Sequence, residues 1–374
     1  MNTATSTPII QFGTSRFLQA HADLFVDEAQ RDGRAAGPIT VVQSSGDPAR
    51  AARLSALAAS GGYPVRIRGL EDGRIIDRVQ QVSSVTRTMS TATGWAALEK
   101  VFCEEAEFVL SNTGDRGFAP QPADEQPEFE QAMAYPAKLQ LLLRARFDSS
   151  GRPLTVLPLE LVRRNGRVLQ ARVLELAAGA PEAYREWLAN DVIWANSLVD
   201  RIVSEPIEPA GAVAEPYALW AIEKAEGLIP PCRHPAVQLV EDLDAIEALK
   251  LFILNLGHTW LVSEWQQMHR PPDTVAALLD QQEVCDGLLR VYEDEVLPAF
   301  AVAGLGDEAA AYVETTLQRY RNPFLDHLLS DIAQNHAEKV ARRIGGFLEW
   351  ANNNGDTTRK PLLTGLFEEM KTDA

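Results

Sequence analysis

Cysteine is scarce in this 374-residue chain: it holds Cys103, Cys232 and Cys285, far apart and in no CxxC or CxxH spacing. That scarcity excludes a disulfide framework and a thiolate zinc site, and it fits a reducing compartment. Positive charge is also short. Against 52 Asp and Glu there are 35 Lys and Arg, a formal net charge of −17, which disfavours nucleic acid or an anionic membrane as partner. No uncharged apolar run of about 18 residues occurs, and the N-terminal MNTATSTPIIQFG has neither a basic leader nor a long apolar core. Neither a membrane span nor export is expected, and the expected location is the cytoplasm. What is present is an ordinary globular composition, 46% hydrophobic and 23% charged. It suffices for one large core or two medium ones, and the length suggests about two domains.

The apolar run Pro8 to Phe12 ends at Gly13, and Phe17 to Ala29 can form a helix with Phe17, Ala20, Leu24 and Phe25 facing inward. A second run, Ile39 to Gln43, meets the polar turn Ser44-Ser45-Gly46-Asp47 and then an Ala-rich helical segment from Pro48 to Ala59. This alternation predicts parallel strands joined by crossover helices. Between Tyr63 and Thr86 the period changes to two around Glu71-Asp72-Gly73-Arg74, which predicts an antiparallel hairpin. Helices are then expected near Trp95 to Glu105 and Ala137 to Phe147, and strands at Phe108 to Asn112, Leu154 to Leu161 and Tyr217 to Ile222. The stretch EGLIPPCRHP marks a linker. Residues 1–235 therefore read as an α/β, Rossmann-type domain with insertions, and residues 236–374 as a mostly α-helical domain. The expected helices of the latter lie around Asp244 to Met268, Pro272 to Leu279, Glu283 to Ala299, Asp307 to Gln318, Asn322 to Asn335 and Ala337 to Asn352.

A dinucleotide domain needs a tight turn after its first strand, so that backbone N–H groups at a helix N-terminus reach the pyrophosphate. Gly13, Thr14, Ser15, Arg16 and Phe17 occupy that place, although Ser15 stands where a GxGxxG fingerprint has its second glycine. A lone glycine after an apolar run also fits a plain turn. Asp47 either accepts hydrogen bonds from an adenosine ribose or caps the helix beginning at Pro48. NAD is the expected cofactor, with NADP not excluded. Asn112 and Thr113 end a strand where ligands of open α/β sheets collect, or they are ordinary turn residues.

The most informative segment is EALKLFILNLGH, Glu247 to His258. At about 100° per residue, Glu247, Lys250, Asn255 and His258 fall within an arc of about 140°. The remaining residues are apolar around the whole circumference, so the helix is expected to be buried. Burying three strong polar groups together is costly unless they meet partners or a ligand. A lysine partly withdrawn from water is suited to exchange a proton with a hydroxyl or carbonyl, and Glu247, one turn earlier, can hold it or relay its proton. The bland alternative makes Glu247 and Lys250 a surface i,i+3 pair and His258 a satisfied core histidine.

With these residues in place, the chain resembles the long-chain mannitol dehydrogenase family, polyol and sugar-acid oxidoreductases that need no zinc. The K-x4-N-x2-H spacing is met by Lys250, Asn255 and His258, and V-D-R by Val199, Asp200 and Arg201. QFGTSRFLQAH and SNTGDRGF approximate the family's N-terminal and strand-end patterns. The resemblance implies an NAD(P)-dependent secondary alcohol dehydrogenase. In it Lys250 is the general acid/base, Asn255 bonds the reacting oxygen, His258 orients the substrate and Glu247 exchanges protons with solvent. Val199 and Asp200 border the substrate cleft. LPLELV, with Glu160, resembles the PCEL segment of tagaturonate and fructuronate reductases. RNPFLDHLLSDIAQNHAEKVARR resembles the same reductases at Asn322, Pro323, His327, Lys339 and Arg343.

A uronate carries a carboxylate, and an acidic protein must concentrate cations locally to hold it. Arg321, Lys339 and Arg343 are the candidates, against the plain reading of solvated helix faces. The expected function is thus interconversion of a secondary alcohol and a ketone on a sugar acid. A polyol 2-dehydrogenase and a non-catalytic nucleotide-binding sensor are the alternatives. The expected partners are a small sugar acid or polyol, with the chain a monomer or small homo-oligomer and no metal required.

Overall fold

The computed structural model describes residues 6–114, 117–269 and 272–372. The chain divides into two compact units. The first runs to Ile67 and resumes over Asp77–Leu243; the second joins the hairpin tip Arg68–Ile76 to the chain from Asp244 onward. That the tip of a hairpin belongs to the helical unit has no counterpart in the sequence pattern.

The first unit is built on six parallel strands, β1 (Ile9–Phe12), β2 (Ile39–Gln43), β3 (Val85–Ser90), β4 (Phe108–Ser111), β5 (Thr155–Pro158) and β6 (Ile193–Trp194), in the spatial order β3-β2-β1-β4-β5-β6. β1, β2, β4 and β5 are buried at every position, as strands covered on both faces must be. The connections reverse direction between β1 and β4, which opens a crevice at the carboxyl ends of those strands. The α/β expectation thus holds.

Two insertions form smaller sheets. Tyr63–Glu71 and Arg74–Val82 make the expected hairpin, in a four-stranded sheet with Val203–Pro206 and Ala212–Ala214. The extended run does not continue to Thr86 as one strand: Val85 begins β3, parallel to β2. Leu219–Glu223 pairs antiparallel with Ser197–Asp200 and parallel with Val237–Val240. The single helix expected over Phe17 to Ala29 is two, Arg16–Gln19 and Ala22–Arg31. Between them the Ala20 carbonyl accepts from Arg201 Nη1 at 2.7 Å, and the His21 ring meets the Leu219 carbonyl at 3.0 Å. Both partners come from the V-D-R region and the strand beside it.

The second unit is helical around an apolar core that includes Phe252, Leu256, Leu261, Leu288, Phe300 and Phe347. Its central helix, Asp244–Gln266, is long and apolar enough to cross a membrane by length and composition, but its apolar side chains are largely interior to this unit. Two expectations fail here. Asn322 to Asn335 is no continuous helix: Pro323 cannot extend one, Asn322 Oδ1 accepts from the Phe324 N–H at 3.0 Å, and helix resumes only at Leu329–Ile332. A last helix, Pro361–Thr372, was not expected; Glu295, 1% exposed, caps its N-terminus by accepting from Leu362 and Leu363 N–H at 2.7 and 3.0 Å.

Candidate functional site

A cavity of about 500 Å³ opens at the carboxyl ends of β1, β2 and β4, lined by Gly13, Thr14, Ser15, Arg16, Asn112 and Thr113 together with Gln43, Ser44, Ser45, Arg53 and Gly114. Gly13 has φ +132°, and a Cβ there would sit 2.7 Å from the Asn112 carbonyl oxygen. Only glycine lets the β1 turn approach the end of β4 this closely. Ser15 supplies the N-cap, its Oγ accepting from Leu18 N–H at 3.3 Å and donating to Asn112 Oδ1 at 3.2 Å. Turn and strand end are thereby tied together around the cavity. Its position at the switch point, its size and its glycine turn fit a nicotinamide dinucleotide.

Two residues expected at the cofactor do not line this cavity. Phe17 stacks on His21, with ring centroids 4.7 Å apart, and does not line the cavity. Asp47 is also absent from the lining; its carbonyl accepts from Gln43 Nε2 at 2.6 Å. In their place stand Gln43, Ser44, Ser45 and Arg53, whose only signal in the sequence was position, at or shortly after the end of the second strand. Asp115 and Arg116 of the strand-end motif lie outside the described residues.

Glu160, expected to touch substrate, is 3% exposed and does not line the cavity; it braces Thr113, which does. One carboxylate oxygen accepts from the Thr113 N–H and hydroxyl, each at 3.0 Å, and the other from the Ser111 hydroxyl at 3.0 Å. Burial pushes its pKa up, and these donors pull the other way. Asn112 Nδ2 donates to the Leu159 carbonyl at 2.9 Å, so β4 and the segment after β5 are locked side by side. Val199 and Asp200 are buried in their strand, 2% and 6% exposed.

In the second unit the helix carrying Glu247, Lys250, Asn255 and His258 departs from α geometry in the middle. Lys250–Asn255 is a π-helix between the α-helices Asp244–Leu249 and Leu256–Gln266. In an α-helix, Lys250 and Asn255 would lie about 140° apart. Bonding from i to i+5 widens the turn, which narrows that separation and brings the two onto one face of the helix. The widened turn frees carbonyls, and two buried tyrosines take them: Tyr292 donates to the Ile253 carbonyl at 2.9 Å, and Tyr320 donates to that of Leu254. Gly257 makes room, since a Cβ there would run into the Tyr292 hydroxyl and sit 2.6 Å from that of Tyr320. Glu247, Lys250 and Asn255 are half-buried and His258 is buried.

Around His258 the structure gathers cations from several segments. Its ring lies 4.5 Å from that of Tyr320 and 4.6 Å from that of His327. Burial first, then His327, Arg319, Arg343 and Lys339, hold its pKa well below the usual range, so the imidazole is neutral. His327 is held down to about 4 by burial and by Arg319. Arg343 Nη1 donates to the Asn255 carbonyl at 3.2 Å and to Thr259 Oγ1 at 3.0 Å, while its Nε and His258 Nε2 are buried without a protein partner. Lys339 donates to the Ile332 carbonyl at 2.7 Å. Arg321 is not part of this group: it is exposed and its Nη2 reaches Cys285 Sγ at 3.1 Å. Arg319, two residues earlier and 5% exposed, stands there instead. Arg319 lies inside the helix Gly306–Tyr320 and Arg321 caps its end, two positions or about 200° further round, so the two face different ways. Among the described residues, no three His, Cys, Asp or Glu side chains converge as a metal site.

Comparison with known proteins gives matches over both units. Residues 7–230 match the model of the mannitol dehydrogenase Rossmann domain, and residues 242–367 that of the mannitol dehydrogenase C-terminal domain. Altronate oxidoreductase of Halalkalibacterium halodurans is 27% identical over 361 residues, 90% of this chain and 69% of the relative. That of Klebsiella pneumoniae is 30% identical over 365 residues, 90% of this chain and 73% of the relative. Among solved structures, substrate-free D-sorbitol dehydrogenase superposes with a TM-score of 0.78 at 18% identity, over 94% of this chain and 77% of the other. Mannitol 2-dehydrogenase of Pseudomonas fluorescens, in ternary complex with NAD and D-mannitol, does so with 0.69 at 18% identity, over 93% and 77%. With both of its units matched in order, the chain belongs to the mannitol dehydrogenase family.

Proposed function

We propose that the chain is a zinc-independent, NAD(P)-dependent oxidoreductase that interconverts a secondary alcohol and a ketone on a sugar acid. The observation that carries the sugar-acid reading is the buried surround of His258. Arg343 Nε and His258 Nε2 have no protein partner, and Arg319, Arg343 and Lys339 face a neutral imidazole. Cations desolvated around unsatisfied polar atoms attract a carboxylate, and a guanidinium with a spare N–H is suited to bind one. The altronate oxidoreductases similar to this chain are named for a sugar acid.

When bound, a nicotinamide dinucleotide supplies or removes the hydride. The chain's own residues handle the proton and the geometry. Lys250 gives its ammonium proton to the oxygen as the carbonyl is reduced, and takes it back in oxidation. Asn255, one π turn along the same face, donates its amide N–H to that oxygen, a preorganised contact of the kind worth about 3 kcal/mol in the transition state. Neutral His258 holds a substrate hydroxyl without adding charge beside the lysine.

Purified protein assayed by NADH and NADPH absorbance against tagaturonate, fructuronate and fructose tests this. Turnover of a keto acid well above that of fructose is expected. Turnover of fructose alone overturns the sugar-acid reading, and nucleotide binding without turnover of any of the three overturns the enzyme reading.

A further inference from the structure

The adenosine end of the cavity in the first unit carries a charge pattern that bears on which dinucleotide it takes. At the end of the second strand of such a fold, a carboxylate binds the two ribose hydroxyls and repels a phosphate, whereas an arginine accommodates a 2′-phosphate. Here β2 ends in Gln43, Ser44 and Ser45, and Gln43 turns its amide into the loop to donate to the Asp47 carbonyl. Among the described residues lining the cavity there is no Asp or Glu, and the charged ones are Arg16 and Arg53. In a chain of net charge −17, a wall with two cations and no anion is a local reversal of sign.

Arg53 sits on the helix Pro48–Leu57 that follows β2, and its Nη1 lies 3.5 Å from the Thr14 carbonyl oxygen. The guanidinium therefore spans from the second crossover to the first turn. It also lies 4.0 Å from Glu208, whose side chain is 68% exposed. So loose and solvated a pair is weak and can give way to a phosphate. The Ser44-Ser45 loop is held from behind: the Ser44 carbonyl accepts from Lys138 Nζ at 2.7 Å, Gln131 Nε2 at 2.8 Å and Thr91 Oγ1 at 3.2 Å. A trans peptide then directs the Ser45 N–H away from those donors, and both serines line the cavity.

We propose that this end of the cavity is a 2′-phosphate subsite, so that the chain prefers NADP(H) to NAD(H). Arg53 pairs with the phosphate, and Ser44 and Ser45 donate to its oxygens. This rests on the cavity being the nicotinamide dinucleotide site.

Two direct binding measurements on the full chain test it. The first compares NADPH with NADH by fluorescence titration. The second compares adenosine 2′,5′-bisphosphate with 5′-AMP by calorimetry, two ligands that differ only in the 2′-phosphate. Each 2′-phosphorylated ligand is expected to bind at least tenfold more tightly. Arg53→Ala is expected to lower the NADPH-to-NADH affinity ratio at least tenfold, with Arg53→Lys between it and the parent. NADH binding as tightly as NADPH overturns the subsite while leaving the dehydrogenase reading intact. An unchanged ratio in Arg53→Ala overturns the role of Arg53, and failure of both dinucleotides to bind overturns the subsite and the cofactor reading together.

Discussion

Glu160 accepts from both the backbone N–H and the hydroxyl of Thr113, each at 3.0 Å, and so fixes the strand end that borders the cavity of the first unit. Replacing it by Ala strands those donors and the Ser111 hydroxyl in a site where Glu160 itself is 3% exposed. Each buried group left unsatisfied costs about 1–3 kcal/mol. Glu160→Ala should therefore lose about 2–4 kcal/mol in urea unfolding and bind dinucleotide more weakly by titration. Glu160→Gln keeps one acceptor oxygen and should stay within about 1 kcal/mol. An alanine variant as stable and as tight as the parent would show that the network holds nothing.

Gly257→Ala should be among the most damaging single-methyl additions in the second unit. The new Cβ meets the Tyr292 and Tyr320 hydroxyls, and moving them releases the Ile253 and Leu254 carbonyls they hold. Overpacking and two lost hydrogen bonds together suggest about 3 kcal/mol. Tyr292→Phe, which loses one bond without a clash, should cost about 1 kcal/mol. Urea midpoints compare the two; a smaller loss for the glycine variant than for the tyrosine variant would contradict the geometry.

The π segment also explains how far the site was legible in the sequence. Strand runs buried on both faces, the glycine turn and the polar stripe Glu247, Lys250, Asn255 and His258 are local patterns, and each marks an element the structure contains. What a local pattern lacks is tertiary compensation. Whether a helix widens at Lys250–Asn255 depends on tyrosines 37 or more residues further on, at 292 and 320. Likewise, Arg321 and Arg319 are indistinguishable as letters. Where the helix Gly306–Tyr320 ends decides between them: Arg319 within it turns towards His258, and Arg321 at its cap reaches Cys285.

If the cations around His258 hold a carboxylate, removing one should act on binding more than on turnover. Arg343→Gln and Arg319→Gln are each expected to raise KM for a sugar acid about tenfold to a hundredfold, the range for a charge-assisted hydrogen bond. Turnover at saturation should fall less, and KM of the parent should rise with salt as ionic attraction is screened. Steady-state kinetics with a keto acid and with fructose separate the cases. Equal losses on both substrates would mean that Arg343 serves only to brace the Asn255 and Thr259 turn it bonds.

Lys250→Ala tests the proton step separately from binding. Loss of a positioned acid/base lowers turnover by about 10²–10⁴-fold, while dinucleotide affinity, measured by NADH or NADPH fluorescence, should change by less than about threefold (a difference under 1 kcal/mol). An unchanged kcat would remove the lysine from the mechanism.

Asp23 should make the stability of the first unit depend on pH, independently of catalysis. It is fully buried, accepts from the Tyr63 hydroxyl at 2.7 Å and presents its other oxygen to the Gln11 side chain. The Tyr63 hydroxyl and the Gln11 side chain favour the ionised form, but burial outweighs them. Burial accordingly raises its pKa from 3.8 to about 7. A carboxyl whose folded pKa lies above its unfolded one holds its proton longer in the native state. The stability it confers is full below pH 4 and is lost as pH rises to about 7. Over that window the ceiling is about 4 kcal/mol, at 1.36 kcal/mol per unit. In Asp23→Asn there is no charge to bury and the amide oxygen still accepts from Tyr63, so the variant should match the parent at pH 4 and exceed it by a few kcal/mol at pH 8. Urea unfolding of both proteins at pH 4, 6 and 8 measures the difference, and parallel pH curves would mean that Asp23 does not titrate with folding.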